Sequence, residues 1–205
     1  MPDEVDAYTH YELLIDEGND PVYDDDRLKR YMSNWDGPLF FESLDVNENK
    51  SVLEIGVGTG RIAKKVLERG CREFTGIDIS LKTIKRAEEN LRNFENVNVR
   101  LIEENALTFV RENKFDLIYS VLTFSHIEDK ERAIKNIWFS LKRGGYFVLS
   151  VSKDDKWLDY GSRKVKLFPE NKEYYVKVLR DTGFRIEFCR DTESGFATII
   201  KAEKI

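Results

Sequence analysis

Residues 51–61 read SVLEIGVGTGR, and the architecture of the chain follows from them. Val52, Leu53 and Ile55 make the short apolar run of a strand buried on both faces. Gly56, Gly58 and Gly60 follow at alternate positions, where the missing Cβ lets the backbone turn sharply and approach a ligand closely. Beyond Arg61, the apolar residues Ile62, Ala63, Val66 and Leu67 recur at helical spacing, and Gly70 can end that helix. Strand, glycine turn and helix N-terminus in this order form a pocket of nucleotide type at the carboxyl edge of a parallel sheet.

The alternation continues to residue 151. The pattern predicts strands over 73–78, 97–102, 115–121 and 146–151. Helices are expected over 81–91, with Ser80 as N-cap, and from the end of the 115–121 strand to Leu141; a short helix should run from Asn105-Ala106 to Arg111. Residues 152–169 form a polar and aromatic excursion, followed by a helix over 172–181. Two β-rich runs, 184–190 and 196–202, then read as a terminal hairpin. Residues 1–49 are acidic and aromatic, with helices expected over 3–17, 24–34 and 38–44; they should form a cap at the sheet edge or over the pocket mouth. His10 lies near the terminus and receives no role.

Asp78 ends its strand 22 residues beyond Gly56, where a carboxylate can accept both hydroxyl hydrogens of a ribose. Glu54 is unusual inside an apolar strand, because a lone buried carboxylate is costly to desolvate. Asn105 can cap the short helix that follows it. His126 follows the 115–121 strand closely, and Ser125-x-x-Glu128 reads as a capping box that would keep its imidazole neutral at a helix N-terminus.

A dinucleotide fingerprint would need glycine at position 61, and Arg61 stands there, which with the terminal hairpin disfavours a nicotinamide-dependent oxidoreductase. The sequence E-x-G-x-G-x-G instead resembles motif I of the class I S-adenosylmethionine-dependent methyltransferases. GIDIS around Asp78, FDLIYSVLTFSHIED from Phe115, and LKRGGYFVLSV from Leu141 are similar to that family's later motifs. The resemblance implies an α/β fold: a doubly wound, seven-stranded, mostly parallel sheet with an antiparallel C-terminal strand, here with an N-terminal helical cap (1–49) before the methyltransferase domain (50–205). It implies S-adenosyl-L-methionine as cofactor, with S-adenosyl-L-homocysteine as product. It also implies cofactor contacts from Glu54, Gly56, Gly58, Gly60, Asp78, Ile79, Asn105, Ala106, Ser120 and Val121. A non-catalytic regulatory module that binds the same cofactor would carry the same motifs.

No Asp/Asn-Pro-Pro-aromatic or Pro-Cys signature of DNA-methylating enzymes follows the 115–121 strand. The formal net charge of -5 argues against bulk attraction to nucleic acid. With 41% hydrophobic and 35% charged residues the chain reads as globular, and no run approaches the ~18 apolar residues of a membrane helix. MPDEVDAYTH lacks the basic and apolar regions of a signal peptide, and Cys71 and Cys189 form no metal or disulfide pattern. A cytoplasmic protein acting on a small molecule is therefore expected. The candidate base is His126. Trp35, Trp157, Tyr160 and Arg163 are candidates for an acceptor pocket, with Arg163 gripping a carboxylate or phosphate.

Overall fold

A computed structural model describes residues 2–205. The N-terminal segment comprises β1 (Asp3–Val5), α1 (Ala7–Asp16), a 3-10 turn at Pro21–Tyr23, α2 (Asp26–Asp36) and α3 (Pro38–Leu44). The helices lie close to expectation, but Asp3–Val5 is a strand, not the first turn of a helix. Asp6 ends it by accepting the Thr9 N–H at 2.7 Å and so starting α1.

The main body runs β2 (Ser51–Ile55), α4 (Arg61–Leu67), β3 (Glu73–Asp78), α5 (Leu81–Leu91), β4 (Asn98–Glu103), β5 (Phe115–Val121), α6 (Lys130–Ser140) and β6 (Leu141–Ser152). After the short hairpin of β7 (Trp157–Asp159) and β8 (Arg163–Lys166) come α7 (Lys172–Thr182), β9 (Phe184–Asp191) and β10 (Ala197–Lys204). The seven-stranded sheet has the order β4-β3-β2-β5-β6-β10-β9, parallel except for β10, which pairs antiparallel with both neighbours. The expected doubly wound sheet with its reversed terminal strand is present.

All five residues of β2 are buried, because both faces of the sheet are covered. Leu53 and Ile55 join one core with Ile118, Phe147, Ile134 and Leu179. Val52 joins the other with Phe40, Leu44, Ile62 and Val66 from α3 and α4. Strand order reverses between β2 and β5, so their carboxyl ends diverge into a crevice, the usual ligand position in such sheets.

Three carboxylates fasten the N-terminal segment over that crevice. Glu12 Oε1 accepts the Ser80 hydroxyl at 2.7 Å and the Lys82 N–H at 3.0 Å, at the start of α5. Asp20 accepts from Asn90 Nδ2 at 3.0 Å, and the same amide reaches the Thr59 carbonyl in the glycine turn. Asp36, fully buried, pairs with Arg61 and Lys65 on α4. In addition β1 pairs in parallel with β8, joining residues 3–5 to a hairpin more than 150 positions away.

Candidate functional site

The carboxyl ends of β2, β3 and β5 open into a cavity of about 500 Å³. Its floor is the glycine turn. Gly56 lies at φ 75° against Thr123, whose Oγ1 a Cβ would approach to 2.0 Å, so no larger residue fits. Gly58, at φ 56°, faces open space and donates its N–H to Asp78 Oδ2 at 3.0 Å. The Ser80 N–H donates to the other oxygen at 3.1 Å. Asp78 thus ties the turn after β2 to the turn after β3 while keeping lone pairs free, and burial raises its pKa despite these amides.

Glu54 is only 2% exposed, yet it lines the cavity. It lies in register with Tyr119 on β5, whose hydroxyl donates to Oε2 at 2.9 Å. Burial pushes the Glu54 carboxyl well above the usual carboxylate range, with Tyr119 and the nearby Arg61 opposing it. Ile79, Glu104, Asn105, Ala106 and Leu107 continue the wall. The helix expected after Asn105 does not form. Asn105 Oδ1 instead accepts the Leu107 N–H at 2.9 Å, and the chain makes a single turn.

The opposite wall is the loop after β5, with Val121, Leu122, Thr123, His126, Ile127 and Glu128, together with Phe168. Leu122 has φ 59°, a left-handed conformation that a branched side chain rarely adopts. The Ser125/Glu128 capping box is absent: His126 sits in a 3-10 turn, and α6 begins later, where Asp129 accepts the Arg132 N–H at 3.0 Å. The roof comes from the N-terminal segment through Ala7, Tyr11, Pro21 and Met32. Tyr11 Oη lies 2.9 Å from His126 Nε2, while Nδ1 is buried without a partner. Burial lowers the His126 pKa to about 4, so the ring is neutral at neutral pH, as the sequence suggested but for a different reason.

The cavity therefore gathers Glu54, Gly56, Gly58, Asp78, Ile79, Asn105, Ala106, Val121 and His126. Gly60 and Ser120 stand just behind it: Gly60 begins α4 at φ 93°, and the Ser120 hydroxyl donates to the Ile55 carbonyl at 2.9 Å. The four acceptor candidates lie elsewhere. Arg163 is 4% exposed because both of its terminal nitrogens grip Glu17, at 2.6 and 2.8 Å, and Nε donates to His10 Nδ1 at 2.9 Å. Its charge is already satisfied, which removes it from anion recognition. His10 is a core residue and not a terminal bystander. Tyr160 stacks edge-on against His10, Trp35 Nε1 donates to Ser152 Oγ at 2.9 Å, and Trp157 stands half-exposed on β7. Tyr11, Met32, Thr123 and Phe168 were not singled out as site residues from the sequence, and Glu128 was read only as part of a capping box. Aromatic enrichment before residue 49 announced a cap, but helical periodicity alone cannot say which tyrosine points inward.

Two buried carboxylates with free lone pairs, a glycine cradle and the unpartnered, buried Thr59 hydroxyl suit a cationic ligand that carries hydroxyl groups. Among the described residues no cluster of three or more His, Cys, Asp or Glu could hold a metal.

An open α/β sheet with a glycine turn, a strand-end acid and a reversed last strand defines a Rossmann-like nucleotide-binding class. Residues 53–149 match the family described as "Methyltransferase domain". The malonyl-(acyl-carrier protein) O-methyltransferase 1 of Ilyobacter polytropus is 34% identical over 144 residues, which cover 66% of this chain and 53% of that protein. Among solved structures, magnesium protoporphyrin IX methyltransferase from Synechocystis PCC 6803, with bound SAM, superposes with a TM-score of 0.72 at 16% identity, over 100% of both chains. The cyclase SpnF superposes with a TM-score of 0.73 at 18% identity, over 99% of this chain and 98% of that one. The chain spans about a third to a half of the length of the curated relatives it matches. Residues 53–149 are thus similar to methyltransferase domains, and the chain has the Rossmann-like fold of these solved structures.

Proposed function

We propose that the protein transfers a methyl group from S-adenosyl-L-methionine to a small-molecule acceptor by in-line displacement, releasing S-adenosyl-L-homocysteine. A fold shared with a cyclase does not by itself specify methyl transfer, so the reading rests on the site. The observation that carries it is the convergence of Glu54, the Gly56–Gly58 turn and Asp78 on one cavity that also holds a neutral histidine.

When bound, the cofactor supplies an electrophilic methyl group on a sulfonium centre. Glu54 would hold the ammonium of its amino-acid end, Asp78 the ribose hydroxyls, and Ile79, Asn105 and Ala106 the adenine side. Residues 1–49 act as a cap that excludes water from the cavity, and residues 50–205 as the catalytic domain. Positioning and water exclusion can supply most of the acceleration, with effective molarities of roughly 10⁵ M or more. Tyr11 fixes the ring of His126, which takes the proton of an acceptor that arrives protonated. No helix among the described residues is long and apolar enough to cross a membrane. Two free thiols suit a reducing, cytoplasmic setting.

Calorimetry with S-adenosylhomocysteine and with NAD, followed by mass-spectrometric detection of S-adenosylhomocysteine formed with a metabolite panel, tests this reading. Binding of the first, no binding of NAD, and acceptor-dependent turnover are expected. Tight NAD binding, or cofactor binding without turnover of any acceptor, would count against it.

A further inference from the structure

Glu54 is gripped from outside the cavity that it lines. The alternation of β5 puts Leu117, Tyr119 and Val121 on one face of the sheet, in the same core as Val52 of β2. Within that row the Tyr119 hydroxyl is the one polar side-chain group, and Tyr119 lies in register with Glu54. Tyr119 is fully buried and does not line the cavity, yet its hydroxyl donates to Glu54 Oε2 at 2.9 Å. Among the described residues no other hydrogen bond reaches the Glu54 carboxylate. The Phe40 ring of α3, itself fully buried, packs edge-on against the tyrosine at 5.9 Å and keeps it from turning away. Burial and the Glu54 charge push the Tyr119 phenol far up, so its hydroxyl is a donor at every working pH. Oε2 is thus committed, and Oε1 is left without a partner in the protein.

Three charged groups also act on Glu54. Arg61 on α4 favours its ionised form, while Asp78 at the end of β3 and Asp36 at the end of α2 disfavour it. Asp36 also pairs with Arg61, so these charges offset one another in part. The largest influence opposing burial is the hydrogen bond from Tyr119. We infer that Tyr119 is a positioning residue, which aligns Glu54 with the ammonium at the amino-acid end of the cofactor. This rests on the cofactor assignment made above. A carboxylate free to swing or to take up a proton would lose its charge-assisted contact with an ammonium, and the buried hydroxyl opposes both.

Calorimetry on the full chain with S-adenosylhomocysteine and with 5′-methylthioadenosine, which lacks the amino-acid end, tests this. Tyr119→Phe keeps the ring and removes only the hydroxyl. At about pH 7 it should weaken S-adenosylhomocysteine binding by about tenfold or more, the loss of one hydrogen bond to a charged group, and leave 5′-methylthioadenosine binding unchanged. The loss should shrink between about pH 6 and about pH 8, because more of the Glu54 in the variant ionises without the hydroxyl as pH rises. In a Glu54→Gln background the same substitution should add less than about twofold. Unchanged S-adenosylhomocysteine affinity, a loss shared by both ligands, a loss independent of pH, or a full effect in the Glu54→Gln background overturns the inference. Failure of the unsubstituted chain to bind S-adenosylhomocysteine overturns the cofactor assignment instead.

Discussion

Asp78 serves two ends at once: it accepts amides from Gly58 and Ser80, and it offers its remaining lone pairs to the cavity. Asp78→Ala should therefore weaken cofactor binding by about 2–4 kcal/mol, since two charge-assisted hydrogen bonds are lost and the turn loosens; calorimetry showing unchanged affinity would exclude it. Burial raises the pKa values of both Glu54 and Asp78. A cationic ligand needs them ionised, so binding should release protons, and affinity should rise as pH increases through their raised values. Titrations in two buffers of different ionisation heat will measure that release, and Glu54→Gln should reduce it. His126→Ala should lower kcat by roughly 10²–10⁴ if the ring takes the acceptor's proton, and the loss should shrink for acceptors that arrive already deprotonated. The glycine turn, Glu54 and Asp78 were legible in the sequence because local backbone demands and a misplaced buried charge leave local signs. Arg163 was not, because its partner Glu17 lies 146 positions away and no local pattern announces the pair.

At the scale of elements, strands and helices from β2 to β6 were readable because each is a short apolar run bounded by a turn signal or a cap. The failures share a cause. Asp3–Val5 has no strand signature of its own and is extended because β8 pairs with it. The turn after Asn105 has helix-compatible residues, but Asn105 bonds its own backbone two residues on and closes the turn there. The N-terminal segment is held by carboxylates reaching the helices that flank the cavity, so its attachment and the shape of the site are one structure. Asp36→Ala would leave Arg61 facing the cavity without its buried partner. A loss of roughly 3 kcal/mol in stability is expected, because breaking a buried pair strands the remaining charge, together with weaker cofactor binding. Denaturant unfolding and calorimetry on the same variant check both parts; a change in neither would mean that the pair is dispensable.

For the molecule as a whole, buried histidines set the acid limit. Burial and the Arg163 charge lower the His10 pKa to about 4. The unfolded chain takes up this proton below pH 6.5 and the folded one does not, so the associated stability is complete above pH 6.5 and is lost as pH falls towards 4. For His10 this amounts to at most about 3 kcal/mol. Thermal unfolding at a series of pH values should show the decline, and His10→Gln should flatten part of it. The pairing of β1 with β8 bears on a different property. With one end of the N-terminal segment sewn to that hairpin and the other continuous with α3 and the sheet core, the roof is an arch on two abutments and not a flap on a hinge. The span between the abutments is where the roof can bend, and its stretch without regular helix is residues 17–25, with Gly18 and a single 3-10 turn. Amide exchange should accordingly be fastest there and slow when the cavity is filled, making the keystone of the arch the pacemaker of ligand traffic.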